Sequence, residues 1–454
     1  MEEQKEKFSR RKFLGNAAAI GAIGALGVNG LITACSDNKK TRVTLPTPLD
    51  SAPDGPVLKA GLIGCGGRGR GAAVEDFLNA GPNLEITALG DLFQDKIDKT
   101  REKMKKEKNV EVPDENCFLG FDAFEKVIDS GVDVVLLATP PVFRPQHFEA
   151  AIKAKKHVFM EKPVAVDPVG IRSIMATGKK AESFGLCVVA GTQRRHQRHY
   201  LKTYEKVLNG EIGEIVAANC YWNGGKLWHV NRKEGWTDME WMIRNWVNWL
   251  WLSGDHIVEQ HVHNIDVINW FTGKHPVKAV GFGSRQRRIT GDQYDNFSID
   301  FIYDNEIHMH SMCRQINDCA SSVSEYIRGT DGYLTSNNRN SKIFNPDGTL
   351  KFEYPYPENE EGEETNKVKI SAYLQEHIDL VTAIRTNQPI NEAENVAVST
   401  MTAIMGRISA YSGKEVTWEE MMNSDLSLGP KQYTLGPMDL TPDIPIPGSA
   451  PKES

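Results

Sequence analysis

The residues with the clearest chemical pattern lie between positions 64 and 91. The segment Gly64-Cys65-Gly66-Gly67-Arg68-Gly69 has the spacing GxGxxG. Glycines at this spacing permit a tight turn and let the backbone approach a pyrophosphate closely. Asp91 follows about twenty residues later, where a carboxylate can accept hydrogen bonds from ribose hydroxyls and would repel a 2′-phosphate. The pattern predicts a dinucleotide site that favours NAD over NADP. Arg68 could also reach a phosphate, or it could be a solvated loop charge.

A second set of polar residues could move protons. Glu259, His263 and Asp266 are spaced by four and three residues, which places them on one face of a helix predicted over 255–270. A histidine titrates near neutral pH, so it can accept a proton and return it. The same face could bind zinc, although the spacing is not HExxH and no third ligand is evident. The histidines could equally be buried structural groups.

Alternating strands and helices must position these residues. Apolar runs predict strands at 57–63, 84–91, 132–141 and 157–163, and helical patterns follow the glycine loop and begin again at His147. Such alternation predicts a parallel, doubly wound sheet, in which ligands lie beyond the carboxyl ends of the strands. Asp91, Thr139 and Lys162 all fall at those ends.

The C-terminal half has a different pattern. Strands are predicted at 279–282, 297–303 and 306–312, with a hairpin signal at 303–306, and helices at 371–386 and 391–411. The fold class expected is α/β: an N-terminal Rossmann domain with a doubly wound parallel sheet, plus a C-terminal α+β domain with an open, mainly antiparallel sheet. We expect a linker over 36–56, the Rossmann domain over 57–190 and a substrate and oligomerisation domain over 191–427. A Pro-rich tail over 428–454 is expected to be an arm over a neighbouring subunit or disordered.

The N-terminus has the features of an export signal over residues 1–35. A twin-arginine pattern (Arg10-Arg11) precedes a long uncharged stretch, and Leu31-Ile32-Thr33-Ala34-Cys35 resembles a lipoprotein cleavage box. A single transmembrane anchor is the alternative. We expect export by the twin-arginine route to the periplasm or cell envelope of a Gram-negative bacterium, with membrane attachment only through a lipid at Cys35. Nicotinamide nucleotides are made in the cytoplasm, so an exported enzyme should hold its nucleotide tightly.

The glycine loop, Ala138-Thr139-Pro140, His147 and Glu161-Lys162-Pro163 occur in an order and spacing that resemble the glucose–fructose oxidoreductase / inositol dehydrogenase (Gfo/Idh/MocA) family. The resemblance covers about residues 57 to 420. It implies NAD(P)-dependent oxidation or reduction at a sugar or cyclitol carbon. Lys162 would hydrogen-bond the reacting oxygen, His263 would be the acid/base, and Glu259 would orient or tune His263.

From the motifs and the resemblance together we expect two sets of binding residues. Cofactor contacts are expected from Gly64, Gly66, Gly67, Arg68, Gly69, Asp91, Thr139, Pro140, His147, Glu161, Lys162 and Gln193. Substrate contacts are expected from Arg195, Trp222, His263 and Asp266; the basic cluster that contains Arg195 could instead be a solvated helix start.

Composition narrows the possible partners. The chain of 454 residues carries a net charge of −7 and no basic stripe, which argues against a nucleic-acid partner. The cysteines show no metal-binding spacing, and a Cys313–Cys319 disulfide is possible. Every tryptophan except Trp418 lies between positions 222 and 270. These indoles could fill a core or line a carbohydrate cleft. A homodimer or homotetramer through the second domain's sheet is expected.

Three functions remain open at this point. The first is a sugar or cyclitol oxidoreductase with a tightly bound, recycled nucleotide. The second is an NAD-dependent glycoside hydrolase that works by oxidation, elimination, hydration and re-reduction. The third is a non-catalytic glycan-binding lipoprotein with a relic nucleotide fold.

Overall fold

The structure is a computed structural model that describes residues 42–356 and 370–448. The predicted signal over 1–35, the lipid-bearing Cys35 and the last residues of the tail lie outside the described residues. Within the described ranges, none of the helices combines the length and the apolar character that crossing a membrane requires.

The first sheet has six parallel strands in the order β3-β2-β1-β4-β5-β6. The strands are β1 (Leu58–Ile63), β2 (Leu84–Asp91), β3 (Cys117–Leu119), β4 (Val134–Leu137), β5 (His157–Met160) and β6 (Val188–Ala190). All four residues of β4 are buried, because helices cover both faces of the sheet. The predicted doubly wound parallel sheet is confirmed, and the strand order reverses between β1 and β4.

Five helices belong to this first domain. They are α1 (Gly67–Gly71), α2 (Gln94–Lys108), α3 (Ala123–Asp129), α4 (Arg144–Lys153) and α5 (Pro168–Ser183). Helix α1 continues as a π turn over Ala72–Asp76 and a 3₁₀ turn over Phe77–Asn79. Helix α5 begins after Asp167, whose side chain accepts a hydrogen bond from Gly170 N at 2.7 Å.

The second sheet has nine strands in the order β14-β13-β12-β11-β7-β10-β9-β8-β15. The strands are β7 (Ile215–Gly224), β8 (Pro276–Ser284), β9 (Asn296–Tyr303), β10 (His308–Gln315), β11 (Ser322–Gly329), β12 (Tyr333–Asn337), β13 (Ser341–Phe344), β14 (Leu350–Glu353) and β15 (Val416–Thr417). Neighbouring strands are antiparallel except β7 and β10, which pair in parallel. The predicted, mainly antiparallel sheet is therefore confirmed, and Glu306 N donates to Tyr303 O in the predicted hairpin turn.

Among the described residues, eight α-helices follow β6. They are α6 (Arg198–Leu208), α7 (Asp238–Arg244), α8 (Leu250–Ser253), α9 (His256–Glu259), α10 (Val262–Thr272), α11 (Ala372–Arg385), α12 (Ala393–Ser412) and α13 (Trp418–Asn423). The helix predicted over 255–270 is divided into α9 and α10. The ladder of i→i−4 bonds is interrupted because His263 N donates to Gln260 O at 3.3 Å. The carbonyl of Glu259 is thereby released from helical pairing.

The chain returns to the first domain after the second sheet. Ile378 and Val381 of α11 join the buried apolar cluster that contains Ala60 and Leu62 of β1. Val188 N of β6 then donates to the carbonyl of Ile390 at 2.8 Å. The Rossmann domain expected over 57–190 therefore shares its core with α11, which begins about 180 residues after the end of that range.

The segment expected to be a linker is fixed to both domains. Val43 N donates to Asn209 Oδ1, and Asn209 Nδ2 donates to Val43 O, both at 2.8 Å. Arg385 donates to Pro53 O at 2.6 Å and to Pro82 O at 2.7 Å. These bonds join the start of the described chain to α6, to α11 and to the loop before β2.

The C-terminal segment lies along its own chain up to residue 448. Leu428 N donates to Asp167 Oδ2 at 2.8 Å, and the Tyr294 hydroxyl donates to Pro445 O at 2.6 Å. These bonds hold the segment against its own chain, and the expected arm over a neighbouring subunit stays a prediction.

Candidate active site

The glycine loop connects β1 to α1, and each glycine has a different steric role. Gly64 has φ +97°, and a Cβ there would lie 2.7 Å from the backbone of Ala138 and Thr139. A Cβ on Gly69 would lie 1.9 Å from Gly64 O, so no larger residue fits this turn. Gly66 and Gly67 have open space on the corresponding side. The loop is thus closed against the sheet and open where a pyrophosphate would approach.

Asp91 ends β2 and is fixed beside this loop. Its Oδ2 accepts from Cys65 N at 2.7 Å, and its Oδ1 accepts from Phe93 N at 2.9 Å. Burial raises the pKa of this carboxyl to about 6, although both backbone donors lower it. Asp91 is therefore held in a single orientation, and each oxygen keeps a second lone pair for another donor.

The loop after β4 carries Thr139, Pro140 and His147. The Thr139 hydroxyl lies 3.3 Å from His147 Nδ1, and the His147 ring stacks on Phe124 with centroids 4.3 Å apart. Burial lowers the pKa of His147 to about 3, so its imidazole is neutral. Arg144 donates to the carbonyls of Leu137 and Thr139 at 2.8 and 2.7 Å, which fixes the loop.

Arg68 is engaged by carboxylates. Its Nε donates to Glu161, and its Nη1 donates to Asp76 at 2.8 Å. Burial lowers the pKa of Arg68, but the carboxylates of Glu161, Glu376 and Asp76 outweigh it and raise the pKa overall. The ring of Tyr373 lies 4.6 Å from its guanidinium carbon. Arg68 is therefore not the solvated loop charge that the sequence left open.

Lys162 lies two residues beyond β5 and reaches the second domain. Its Nζ donates to Glu259 O at 2.8 Å and lies 3.5 Å from Glu259 Oε1. The backbone contact exists because α9 ends at Glu259. The resemblance implied that Glu259 orients His263, whereas the contact observed in the structure is with Lys162.

His263 is buried in α10 beside Trp222 of β7. The two rings stack with centroids 5.7 Å apart and planes 22° apart. Burial lowers the pKa of His263 well below its ordinary value, and the cations of Lys162 and Arg194 lower it further. Its Nδ1 and the Oε2 of Glu259 are buried without a hydrogen-bond partner among the described residues. Two polar atoms near Lys162 therefore have no hydrogen-bond partner among the described residues.

Three predicted binding residues take other partners. Arg195 and Asp266 form a buried, two-pronged ion pair with both N–O distances at 2.8 Å, and Ser399 also donates to Asp266. The structure therefore pairs these two side chains with each other, and their predicted contact with substrate stays a prediction. The side-chain amide of Gln193 donates to the Tyr373 hydroxyl at 3.4 Å, while its Oε1 is buried without a partner in the described ranges.

A cavity of about 780 Å³ lies at the carboxyl ends of β1, β2 and β4. Its lining contains eight of the predicted cofactor residues: Gly64, Gly66, Gly67, Arg68, Asp91, Thr139, Pro140 and His147. Lys162 and His263 are outside its lining. The sequence did not identify its far wall, which comes from Arg244, Trp246 and Tyr433. No local motif marks these residues, because they are brought there by long-range folding.

The described residues form neither a metal site nor a disulfide. Among residues 42–356 and 370–448, no group of three or more His, Cys, Asp or Glu side chains is arranged to hold a metal ion. The six cysteines of these ranges are unpaired, with Cys313 buried and Cys319 exposed. The possible Cys313–Cys319 disulfide is therefore not formed in this structure.

Comparison with known families matches both halves of the chain. Residues 58–190 match the model for an oxidoreductase family with an NAD-binding Rossmann fold, and residues 200–335 match the GFO/IDH/MocA C-terminal domain. The chain belongs to the GFO/IDH/MocA family. The resemblance drawn from the sequence motifs is confirmed, as is membership of a family of NAD-binding oxidoreductases.

Individual relatives match only part of the chain. The chain is 29% identical over 157 residues to a myo-inositol 2-dehydrogenase of Thermotoga maritima, covering 35% of this chain and 42% of that protein. It is 34% identical over 161 residues to a glycosyl hydrolase family 109 protein of Solibacter usitatus, covering 35% and 34%. The chain therefore spans less than half the length of these curated relatives.

A solved structure shows the same overall fold. The scyllo-inositol dehydrogenase of Lactobacillus casei with bound NAD(H) and scyllo-inositol aligns with a TM-score of 0.59 and 21% identity. The alignment covers 80% of this chain and 99% of that one.

Proposed function

We propose that this protein oxidises or reduces a sugar or cyclitol with a nucleotide, NAD in preference to NADP, that stays bound and is recycled on the enzyme. The main support for the proposal is that Lys162, Glu259 and His263 lie together at the edge of a nucleotide-binding sheet. Two buried polar atoms in this group have no partner in the described part of the chain. Buried polar atoms are normally paired, so such atoms favour a ligand site.

The residues present fit a dinucleotide. Gly66 and Gly67 leave open backbone for a pyrophosphate, and Asp91 is oriented to accept from ribose hydroxyls. A carboxylate at this position disfavours a 2′-phosphate, which supports NAD over NADP. Thr139 and His147 would face the middle of the dinucleotide, since they line the same cavity.

The mechanism follows from the protonation states of the side chains. A bound nicotinamide would supply the acceptor and donor of hydride. Lys162 donates to Glu259 O and, at 3.5 Å, to Glu259 Oε1, which leaves its third N–H group for the reacting oxygen, where positive charge stabilises alkoxide character. His263 is neutral because its pKa is lowered, so it can take the hydroxyl proton and later return it. Trp222, stacked beside it, offers an aromatic face to a sugar ring.

The recycling of the nucleotide is inferred from the predicted export signal. A protein outside the cytoplasm meets no pool of free nucleotide, so a second carbonyl substrate would have to re-oxidise the bound NADH. The test is to purify the protein without its leader and without added cofactor, denature it and identify any released nucleotide by mass spectrometry. Stoichiometric NAD is expected. Rapid and complete loss of nucleotide on dialysis would refute a retained cofactor.

A second candidate function is NAD-dependent glycoside cleavage. It is favoured by the 34% identity to a glycosyl hydrolase family 109 protein and by a neutral base beside a cationic lysine. Oxidation would make the neighbouring C–H acidic, the aglycone would leave by elimination, and water addition with re-reduction would restore the sugar. Release of p-nitrophenol from p-nitrophenyl glycosides without accumulated NADH would favour this candidate. Absence of release across a panel of such glycosides would argue for net oxidoreduction.

A further inference from the structure

We infer that residues 431–433 of the C-terminal segment 428–440 are part of the nucleotide site and retain the adenosine end of the dinucleotide. This inference rests on the proposed function, because it concerns how the nucleotide is kept. Lys431, Gln432 and Tyr433 line the same 780 Å³ cavity as Gly66 and Asp91. The segment and the glycine loop therefore border the same cavity.

Tyr433 joins the segment to both domains. Its ring stacks on Phe121 with centroids 6.0 Å apart, and it meets the edge of Phe143 at 4.9 Å. Trp251 of the second domain stacks on it at 6.3 Å. Phe121 follows β3 and Phe143 follows β4, so the segment bridges the first domain and the Trp-rich region.

Hydrogen bonds fix the segment on both sides of Tyr433. Leu428 N donates to Asp167 Oδ2 at 2.8 Å on one side. On the other, Met239 N donates to Gly436 O and Met438 N donates to Asp238 Oδ2, both at 3.1 Å. Residues 431–433 therefore line the cavity between two fixed points.

The neighbouring wall is built for an aromatic and anionic ligand. Arg244 lies 3.7 Å from the centre of the Phe93 ring and pairs with Asp95 at 2.9 Å. Phe93 comes two residues after Asp91, the predicted ribose ligand, so this wall faces the adenosine half. Aromatic rings stack on a base, while the Lys96 and Lys431 ammonium groups, which also line the cavity, attract phosphate. The ligand chemistry that fits is an adenine nucleotide.

Retention follows from this arrangement. The contacts of Tyr433 with Phe121 and Phe143 hold the segment against the cavity, so they would slow the departure of a nucleotide bound there. The segment would thus slow release without contacting the reacting carbon, because Lys162 and His263 are outside the cavity lining.

Release of radiolabelled NAD into an excess of unlabelled NAD tests the inference on the full chain. Tyr433→Ala should release NAD about tenfold faster than the wild type, since it loses its aromatic contacts. Leu435→Ala, an exposed residue of the same segment outside the cavity lining, is the matched control and should release NAD at the wild-type rate. Equal release rates in Tyr433→Ala and the wild type would overturn the inference.

A second measurement covers the case in which Tyr433→Ala fails to fold. Hydrogen exchange of the wild-type protein is compared with and without NAD, and the amides of 428–440 should exchange more slowly when NAD is bound. Unchanged exchange there would also overturn the inference. A protein that binds no NAD refutes the proposed function itself, whereas bound NAD with release independent of Tyr433 refutes only this inference.

Discussion

Replacing Lys162 by methionine should lower turnover by about 10²- to 10³-fold and leave the nucleotide in place. The methionine side chain has a similar length but lacks the charge and the donors. Lys162 Nζ contacts the carbonyl of Glu259 at 2.8 Å, and Lys162 does not line the nucleotide cavity. The substitution therefore removes the donor to the reacting oxygen and spares the glycine loop and Asp91.

The size of the effect can be worked out from two interactions. Loss of one preorganised donor to a developing oxyanion costs about 10²- to 10³-fold in rate, or about 3–4 kcal/mol. Loss of the hydrogen bond to Glu259 O should lower the free energy of unfolding by only about 1 kcal/mol. The Lys162 cation also lowers the pKa of His263, so its removal should raise that pKa. Residual activity of the variant should therefore require a higher pH.

The assay is single-turnover reduction of the bound nucleotide, followed by NADH fluorescence. The substrate is whichever inositol or aldose from a panel reduces the wild-type protein. Lys153→Met, an exposed lysine of α4, is the matched control and should behave as the wild type. A Lys162→Met protein with full nucleotide content and a reduction rate within threefold of wild type would refute the assigned role.

Three further predictions concern the nucleotide site and the buried ion pair. NAD affinity should weaken as the pH falls through about 6, because the protonated Asp91 loses acceptor capacity for ribose hydroxyls; titration of NAD binding between pH 5 and 8 tests this, and a flat profile contradicts it. Gly66→Ala should keep its melting temperature but lose NAD affinity, whereas Gly69→Ala should lose stability, because only the second Cβ clashes with the protein. Equal melting temperatures for the Gly66→Ala and Gly69→Ala proteins would contradict this steric explanation. Arg195→Ala leaves the Asp266 carboxylate buried and unpaired, so denaturant unfolding should show a loss of about 3–5 kcal/mol; a loss below about 1 kcal/mol would mean that the pair is not buried.

Local sequence patterns were sufficient to predict the strands that carry the site. β4 is a continuous apolar run, and β1 is uncharged and buried from Ala60 to Ile63, because both faces of a parallel sheet are covered. Their ends could be predicted too, since Gly64 and Thr139 directly follow the apolar residues. The helices predicted at 371–386 and 391–411 correspond to α11 and α12.

The features of the site that the sequence could not predict depend on contacts between residues far apart in the chain. The break between α9 and α10 leaves Glu259 O for Lys162, a partner 97 residues away, so helical periodicity could not reveal it. The pairing of Arg195 with Asp266 spans 71 residues, and either charge alone suits a substrate equally well. Tyr433 lies in a Pro-rich segment without periodicity, where only the folded chain reveals an aromatic partner.

The hydrogen bonds between Val43 and Asn209 have a consequence for where the enzyme would stand in a cell. If Cys35 carries a lipid, only eight peptide units connect it to Val43, the first residue held by these hydrogen bonds. Fully extended, such a chain spans at most about 28 Å. The start of the folded protein, beside the C-terminus of α6, would then remain within about one bilayer thickness of the membrane surface. A substrate would have to reach an enzyme held against the membrane. Sugars that diffuse freely could do so, whereas large glycans anchored elsewhere would be poorly accessible.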